Sequence, residues 1–185
     1  LFDADAYVRV DDFVAVVNPN RRPSHCWCLS HRLTAGEIAE LGDGDRESAF
    51  RALCDRTNPP GVIGYADGEP VGWCSIGPRA ENTRLSRSTL IRPLDDLPVW
   101  SIICVVIRGG QRKRGYTTPL IDGAVDYAAS RGAPAVESYP VDEVTPRPGG
   151  GRRVRLRVVS RPWLERLLLR LGPTARLVEV DPRLG

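Results

Sequence analysis

The sequence predicts one α/β domain, and three observations support that prediction. Residues 99–107 form a continuous apolar strand, which is followed by a short basic loop with glycine and then by an amphipathic helix. Residues 62–66 and 71–76 are typical of two strands joined by the turn Asp67-Gly68, which is a strong hairpin signal. At 185 residues, the chain is long enough for one domain with a proper core and short for two.

Further elements are predicted on both sides of the hairpin. Before it, short helices are expected over residues 12–17, 34–41 and 47–56. Thr34 and Glu37 have the spacing of a capping box, which favours a helix start at that point. After the hairpin, residues 79–98 have no clear period and many polar side chains, so we expect a long loop over the sheet. The helix after the basic loop ends at Arg131-Gly132.

The last third of the chain has a different character. Residues 135–142 predict one more strand, and a break rich in glycine and arginine follows over residues 145–153. Residues 154–158 alternate between apolar residues and arginine, as in an exposed strand that is suited to pairing with a second copy of the chain in a homodimer. A helix that begins after Ser160 and a strand over residues 175–180 complete the prediction.

Composition narrows the function classes. The formal net charge of +3 is small for a nucleic-acid-binding protein, so binding through the C-terminal arginines is the weakest of the functions considered. No apolar run is long enough to cross a membrane, and the start of the sequence lacks a signal-peptide pattern. The five cysteines are an odd number, which together with that start favours a reducing, cytoplasmic setting.

The loop between the apolar strand and its helix has the composition of an anion site. Arg112, Lys113 and Arg114 supply positive charge, and Gly115 allows a ligand to approach the backbone closely. The first amides of the following helix have no partners inside the helix, and the helix dipole adds partial positive charge there. The loop is therefore expected to hold a phosphate-bearing ligand.

The same loop carries a family resemblance. The stretch Arg112-Lys113-Arg114-Gly115-Tyr116-Thr117 resembles the Arg/Gln-x-x-Gly-x-Gly/Ala loop of GNAT N-acetyltransferases, which holds the pyrophosphate of acetyl-CoA. Thr117 stands where the family prefers glycine or alanine. The phrases Cys26-Trp27-Cys28, 68–74 and 137–140 are similar to those of a GNAT subgroup common in actinobacteria, and the resemblance covers residues 12–142.

The resemblance implies a fold, a cosubstrate and a reaction. The fold would be a single GNAT-type domain over residues 1–185, with a mixed, mostly antiparallel central sheet, helices on both faces and a divergent part at 143–185. Acetyl-CoA would be the cosubstrate, and a primary amine, on a small molecule or a protein lysine, would attack it directly in a ternary complex. No metal is implied. The residues that would hold acetyl-CoA are Val105, Val106 and Ile107 through their backbone, and Arg112, Lys113, Arg114, Gly115, Tyr116, Thr117 and Thr118 in the loop and helix start.

Catalysis by such a fold needs a proton acceptor and a proton donor. Glu137, in the strand expected to border the acetyl group, is the first candidate base, because a neutral amine is required for attack. The competing interpretation places Glu137 on an outer face in a salt bridge. The tyrosine that protonates the thiolate in the family corresponds to Leu168 here, so Tyr139 or water would have to act instead. Asp142 is a weaker candidate, and Glu69 is expected to be a turn residue.

Two alternatives to the enzyme interpretation stay open at this point. The departures at Leu168 and Thr117 also fit a non-catalytic acyl-CoA-binding sensor. The cluster His25, Cys26, Cys28 and His31 has ligand chemistry suited to zinc, but its spacing differs from that of common zinc modules. We therefore expect a packed segment beside the substrate pocket, with Trp27 as the first aromatic to test for substrate contact. Trp73 and Trp100, in predicted strands, are expected in the core.

Overall fold

The computed structural model describes residues 2–5, 8–42, 45–89, 91–93, 96–139, 141–146 and 152–156. The described elements, in chain order, are β1 (Phe2–Asp5), α1 (Val10–Val17), α2 (Ala35–Glu40), α3 (Asp45–Cys54), β2 (Gly61–Ala66), β3 (Glu69–Pro78), a short 3₁₀ turn (Arg79–Glu81), α4 (Thr83–Ser86), β4 (Trp100–Ile107), α5 (Thr117–Ser130), β5 (Val136–Ser138), β6 (Val141–Pro146) and β7 (Arg152–Leu156). The helices predicted before the hairpin are confirmed, and so is the capping box of Thr34 and Glu37.

The strands form a five-stranded sheet in the order β1-β2-β3-β4-β5. The first four strands pair antiparallel with their neighbours, whereas β5 pairs parallel with β4. This arrangement confirms the predicted mixed, mostly antiparallel sheet. The hairpin between β2 and β3 is also confirmed: Asp67 and Gly68 have φ values of 51° and 82°, the positive values that a tight hairpin turn of this length needs.

One strand was missed, and two sequence predictions of secondary structure were wrong. Strand β1 was not predicted, because four residues are too few to show a pattern. The strand expected over 135–142 is two strands, and β6 leaves the main sheet to pair with β7. The segment 79–98 is not a plain loop, since it begins with the 3₁₀ turn and α4. The predicted helix after Ser160 and the strand over 175–180 lie outside the described residues, and the homodimer stays a prediction.

An extra residue in β4 shapes the sheet. Cys104 lies opposite Ser75 of β3 and Ile102 lies opposite Ile76, so Ile103 has no opposing residue. Such a β-bulge bends the strand and increases its local twist. Strand β5 pairs with β4 only as far as Ile102, and in the described part of the chain no other strand pairs with β4 on that side. Beyond Ile102, the edge of β4 is therefore open.

Apolar clusters cover both faces of the sheet, which confirms the prediction of helices on both sides. On one face, α5 packs against β2, β3 and β4, and Gly72 gives Leu120 of α5 room to approach the sheet. On the other face, α1 and α3 cover an aromatic cluster, which consists of Phe13, Trp27, Phe50 and Trp73. Trp27, named above as the first aromatic to test for substrate contact, lies in this cluster and is 2% exposed. Trp73 and Trp100 are core residues, as predicted. Within the described ranges, none of the helices combines the length and the apolar character that a membrane span requires.

Phe50 tests the contribution of the aromatic cluster to stability. Its ring stacks on Phe13 with a centroid separation of 4.0 Å and meets Trp73 edge-on at 5.9 Å. We expect Phe50→Ala to lower the free energy of unfolding by about 3–5 kcal/mol, because it removes a large buried side chain and leaves a cavity. Urea denaturation measures the loss. The exposed Ser48→Ala on the same helix is the control, with a change below about 0.5 kcal/mol; similar losses in both variants would contradict the assigned packing.

Candidate functional site

The basic loop forms a sharp turn between β4 and α5. Gly110, Lys113 and Gly115 have φ values of 80°, 65° and 81°, so the chain reverses direction through left-handed positions. The side chains of Arg112, Lys113 and Arg114 are exposed, as is Gly115. Arg112 donates a hydrogen bond from Nε to the carbonyl oxygen of Ile107 at 3.3 Å, which orders the start of the turn. The charge predicted for this loop is therefore presented on the surface.

The start of α5 lies directly after this turn. The helix begins at Thr117, and its first backbone hydrogen bond closes from the Leu120 amide to the Tyr116 carbonyl at 3.1 Å. Pro119 has no amide hydrogen, so it adds no unsatisfied donor to this first turn. Thr117 and Thr118 are exposed. A helix of 14 residues with exposed first residues and three neighbouring basic side chains presents the positive end of its dipole at the surface, an arrangement that suits an anion.

The second half of β4 borders the open edge. Val105 is 37% exposed, although it lies in an inner strand of the sheet. Val106 and Ile107 are partly buried against opposite faces. The resemblance assigned only the backbone of these three residues to the ligand, but the side chain of Val105 also lies outside the core. Its side chain is exposed at the level where β5 no longer covers β4, so it is available to an apolar part of a ligand.

A buried ion pair lies at the other end of β4. Glu137 of β5 accepts a hydrogen bond from Nη1 of Arg79 at 2.6 Å and another from the hydroxyl of Ser101 at 2.6 Å, both at Oε1. The side chains of Arg79 and Glu137 are only 9% and 13% exposed. The salt bridge anticipated as the alternative for Glu137 is present, but it is buried and not on an outer face. Glu137 therefore lies beside the strand that borders the open edge.

Arg79 holds more than this carboxylate. Its Nη1 also donates to the hydroxyl of Tyr139, and its Nη2 donates to the carbonyl oxygen of Ile91 at 2.6 Å. One guanidinium therefore joins β5 to the segment that follows β3. Sequence reasoning missed Arg79, because it lies in a stretch predicted as loop and nothing distinguishes it there from the other arginines. Only the pairing of β4 with β5 brings Glu137 to its side.

Tyr139 lies in the same cluster, which we call the Arg79 cluster and define as Arg79, Ser101, Glu137 and Tyr139. Burial, followed by the nearby Glu137, raises the pKa of the Tyr139 hydroxyl well above its ordinary value. The hydroxyl is therefore protonated at neutral pH and releases its proton less readily than an ordinary tyrosine does. For the weaker candidate Asp142, only the backbone position in β6 is described. Glu69 has a 74% exposed side chain in the hairpin, as predicted for a turn residue.

A cavity of about 340 Å³ adjoins the Arg79 cluster. Its walls are mainly apolar and include Pro78, Leu97 and Val99, while Arg79 and Asp96 are charged residues in its lining. The cavity lies at the end of β3 and the start of β4, and described residues of the segment between these strands line it. Since Arg79 contributes to both, the cavity and the ion pair are parts of one region.

The histidines and cysteines expected near the pocket do not converge. Cys26 is exposed and donates to the Ser30 hydroxyl at 3.2 Å, whereas Cys28 is buried against Trp73. Burial lowers the pKa of His25 and of His31, in each case as the largest cause. Over the described ranges, no three His, Cys, Asp or Glu side chains are grouped in a way that could hold a metal ion.

The energetic role of Arg79 can be tested by removing its charge. We expect Arg79→Met to lower the free energy of unfolding by about 3–5 kcal/mol, because the carboxylate of Glu137 then stays buried without its counter-ion. Urea denaturation measures this loss. The double variant Arg79→Met/Glu137→Leu should recover most of it, since no buried charge is left unpaired.

The exposed Arg84→Met serves as the matched control for removing an arginine, and its effect should stay below about 0.5 kcal/mol. If the double variant loses as much stability as Arg79→Met, the ion pair is not the cause of the loss.

Comparison with known proteins agrees with this geometry. The model of the acetyltransferase (GNAT) family matches residues 30–144, and that of the WCX domain matches residues 127–180. No curated protein matches the chain. The structure of AAC(6')-Iy in complex with the bisubstrate analogue CoA-S-monomethyl-acetylneamine is 14% identical, with a TM-score of 0.50 over 98% of this chain and 93% of that chain.

Two further structures resemble the chain less. The aminoglycoside N-acetyltransferase AAC(6')-Iy in complex with CoA is 12% identical, with a TM-score of 0.49 over 98% of this chain and 89% of that chain. A GCN5-related N-acetyltransferase from Ralstonia eutropha JMP134 is 17% identical, with a TM-score of 0.43 over 81% of this chain and 100% of that chain.

The family model covers more than half of the sequence and includes β2 to β5 and the basic loop. The chain therefore belongs to the GNAT family of acetyltransferases.

Proposed function

We propose that this protein transfers an acetyl group from acetyl-CoA to a primary amine within a ternary complex. The observation that carries the proposal is the open edge of β4 beyond Ile102, which leads to the basic loop and the start of α5. The amides of an extended ligand need an unpaired strand edge, and its phosphate needs a positively charged loop next to that edge. Membership of the GNAT family supports acyl transfer as the reaction class.

Acetyl-CoA would lie along β4 with its pyrophosphate at the basic loop. Arg112, Lys113 and Arg114 would provide charge, and the backbone from Gly115 to Thr118 would provide amide donors. The pantetheine arm carries two amides, so it can replace the missing strand by pairing with the backbone of residues 105–107. The exposed Val105 side chain would contact its apolar part. In this position the thioester reaches the point where β4 and β5 separate.

The chemistry then requires two proton transfers. The neutral amine attacks the thioester carbon, and its proton must pass to a base. Glu137 is the proposed base, acting directly or through water. Its contacts with Arg79 and Ser101 both fall on Oε1, so Oε2 is the atom proposed to accept the proton. Tyr139, a protonated hydroxyl in the same cluster, is proposed to donate to the departing thiolate.

The acceptor is proposed to be an amine that is cationic in water. The cavity beside Arg79 combines apolar walls with the carboxylate of Asp96, a combination that suits an amine attached to an apolar body. The structural neighbour AAC(6')-Iy is in complex with an analogue that joins CoA to acetylneamine. A small amine, an aminoglycoside-like compound and a protein lysine all satisfy this chemistry. The actinobacterial subgroup and the cytoplasmic location are proposed on the sequence alone.

One observation favours the second candidate function, a non-catalytic acyl-CoA-binding sensor. The Glu137 carboxylate is already engaged in a buried ion pair with Arg79, a contact that fits a structural role for this residue. Calorimetry with acetyl-CoA should show binding for both functions. CoA release with a panel of amines should occur only for the enzyme. Failure to bind any acyl-CoA would contradict both.

Gly115 provides a test of the acetyl-CoA site. Its φ of 81° is unfavourable for a β-branched residue, and a side chain there would also crowd the proposed pyrophosphate position. We expect Gly115→Val to weaken acetyl-CoA binding about tenfold or more in calorimetry. Gly109→Val is the matched control, because Gly109 lies in the same loop without a left-handed φ and has equally open surroundings. Equal affinities for the two variants would exclude the proposed position of the pyrophosphate.

Glu137→Gln tests the proposed base. The amide oxygen of glutamine can keep the hydrogen bonds from Arg79 and Ser101, but the side chain cannot take up a proton. We expect kcat to fall about a hundredfold or more, and its pH dependence to change. The affinity for acetyl-CoA should be retained, which shows that the variant is folded. Unchanged turnover would remove Glu137 from the mechanism and leave the proton acceptor to water.

A further inference from the structure

Cys28 and Cys104 are neighbours on the face of the sheet that α1 covers. The indole nitrogen of Trp73 donates a hydrogen bond to Sγ of Cys28 at 3.1 Å. Trp73 and Ser75 share one face of β3, and the register places Cys104 directly opposite Ser75. Cys104 is thus a diagonal neighbour of Trp73 on that face, and it packs against the cluster that contains both Trp73 and Cys28.

The two thiols have different surroundings. Cys28 is buried, whereas Cys104 is partly exposed in β4. A hydrogen bond from the Cys28 thiol lowers the pKa of Cys104 to about 7, while the pKa of Cys28 is raised by the same contact and then by burial. Burial raises the pKa of Cys54 to about 12 and that of the fully buried Cys74 further. Among these four thiols, Cys104 has the greatest thiolate character at neutral pH.

The backbone at Cys28 is unusual as well. Trp27 and Cys28 have φ values of 50° and 53°, so two consecutive residues with bulky or polar side chains adopt the left-handed conformation. Such a conformation costs free energy and persists only where the surroundings enforce it. Here it places the Trp27 ring in the aromatic cluster and Sγ of Cys28 on Trp73. The tight turn therefore fixes one thiol beside the strand that carries the other.

We propose that Cys28 and Cys104 form an oxidant-responsive thiol pair, in which a hydroperoxide oxidises Cys104 and Cys28 then closes a disulfide. With hydrogen peroxide, the Cys104 thiolate attacks one peroxide oxygen, the O–O bond breaks, and the released hydroxide takes up a proton to give water. The sulfur of Cys28 then displaces hydroxide from the Cys104 sulfenic acid. The S–S bond forms, and the Cys28 proton leaves with that hydroxide as the second water. Two thiols are oxidised and one peroxide is reduced.

The disulfide would link β4 to the turn at Trp27 and Cys28. Cys104 lies between the bulge at Ile103 and the exposed Val105, where the pantetheine arm is proposed to pair. A covalent link at this position restrains the strand edge that would receive the cosubstrate. We therefore expect the oxidised protein to bind acetyl-CoA about tenfold more weakly than the reduced protein. This expected effect rests on the proposed function, whereas formation of the disulfide does not.

The test treats the reduced full-length chain with hydrogen peroxide and blocks the remaining thiols with N-ethylmaleimide. Peptide mapping without reductant should identify a peptide pair that joins Cys28 to Cys104, and dithiothreitol should release it. Since Cys26 lies two residues from Cys28 and is exposed, Cys26→Ser is the matched control and should still form the link. Cys104→Ser should abolish it. Both substitutions avoid the buried Cys28, whose replacement could unfold the protein.

Several results would overturn the proposal. These are a link from Cys104 to Cys26 or Cys74, a Cys104 sulfinic acid without any linked peptide, and loss of the Cys28–Cys104 link in Cys26→Ser. Calorimetry of the reduced and oxidised forms tests the effect on binding separately. If both forms bind acetyl-CoA equally, the disulfide does not regulate the site. If neither form binds, the proposed function fails while the disulfide stands.

Discussion

The bulge at Ile103 in β4 is the constraint on which the rest of the structure depends. It changes the register with β3 between Ser75 and Ile76, and the pairing with β5 ends one residue before it, at Ile102. Had the pairing continued, β5 would cover the backbone edge of β4 beyond Ile102. Because it does not, β4 has an open edge that ends at a positively charged loop. The candidate site follows from that one irregularity in the ladder.

The Arg79 cluster helps to hold β5, which pairs with β4 over only a short stretch. Strand β5 has three residues in register with β4, and so few ladder hydrogen bonds hold it only weakly. The guanidinium of Arg79 connects Glu137 and Tyr139 to the carbonyl of Ile91, so the short strand is held by side chains from another segment. A buried charge pair contributes less net stability than its Coulomb energy suggests, because both groups lose their hydration. Its principal effect is to fix where Glu137 lies relative to β4.

The two faces of the sheet carry different side chains and different proposed sites. The face under α5 carries a mainly aliphatic core that also includes Trp100 and Tyr127, and the side chains of Val105 and Ile107 belong to this face. The face under α1 and α3 carries the aromatic cluster, the thiols of Cys28 and Cys104, and Ser101, which bonds to Glu137. The proposed acyl-CoA site and the proposed thiol pair thus meet at β4 from opposite faces. A conformational change on one face can therefore affect the other face through the backbone of β4.

The sequence by itself determined the elements with local signals: the hairpin at Asp67-Gly68, the capping box at Thr34, strand β4 and helix α5 with the basic loop between them. These depend on turn chemistry and periodicity within a few residues. Only the tertiary structure decided the partner of Glu137, the burial of Trp27, the exposure of Val105 and the separation of β5 from β6. Each of these depends on which distant segment packs against a residue. The pairing of Arg79 with Glu137 spans 58 positions of the chain, and no local pattern encodes a contact at that distance.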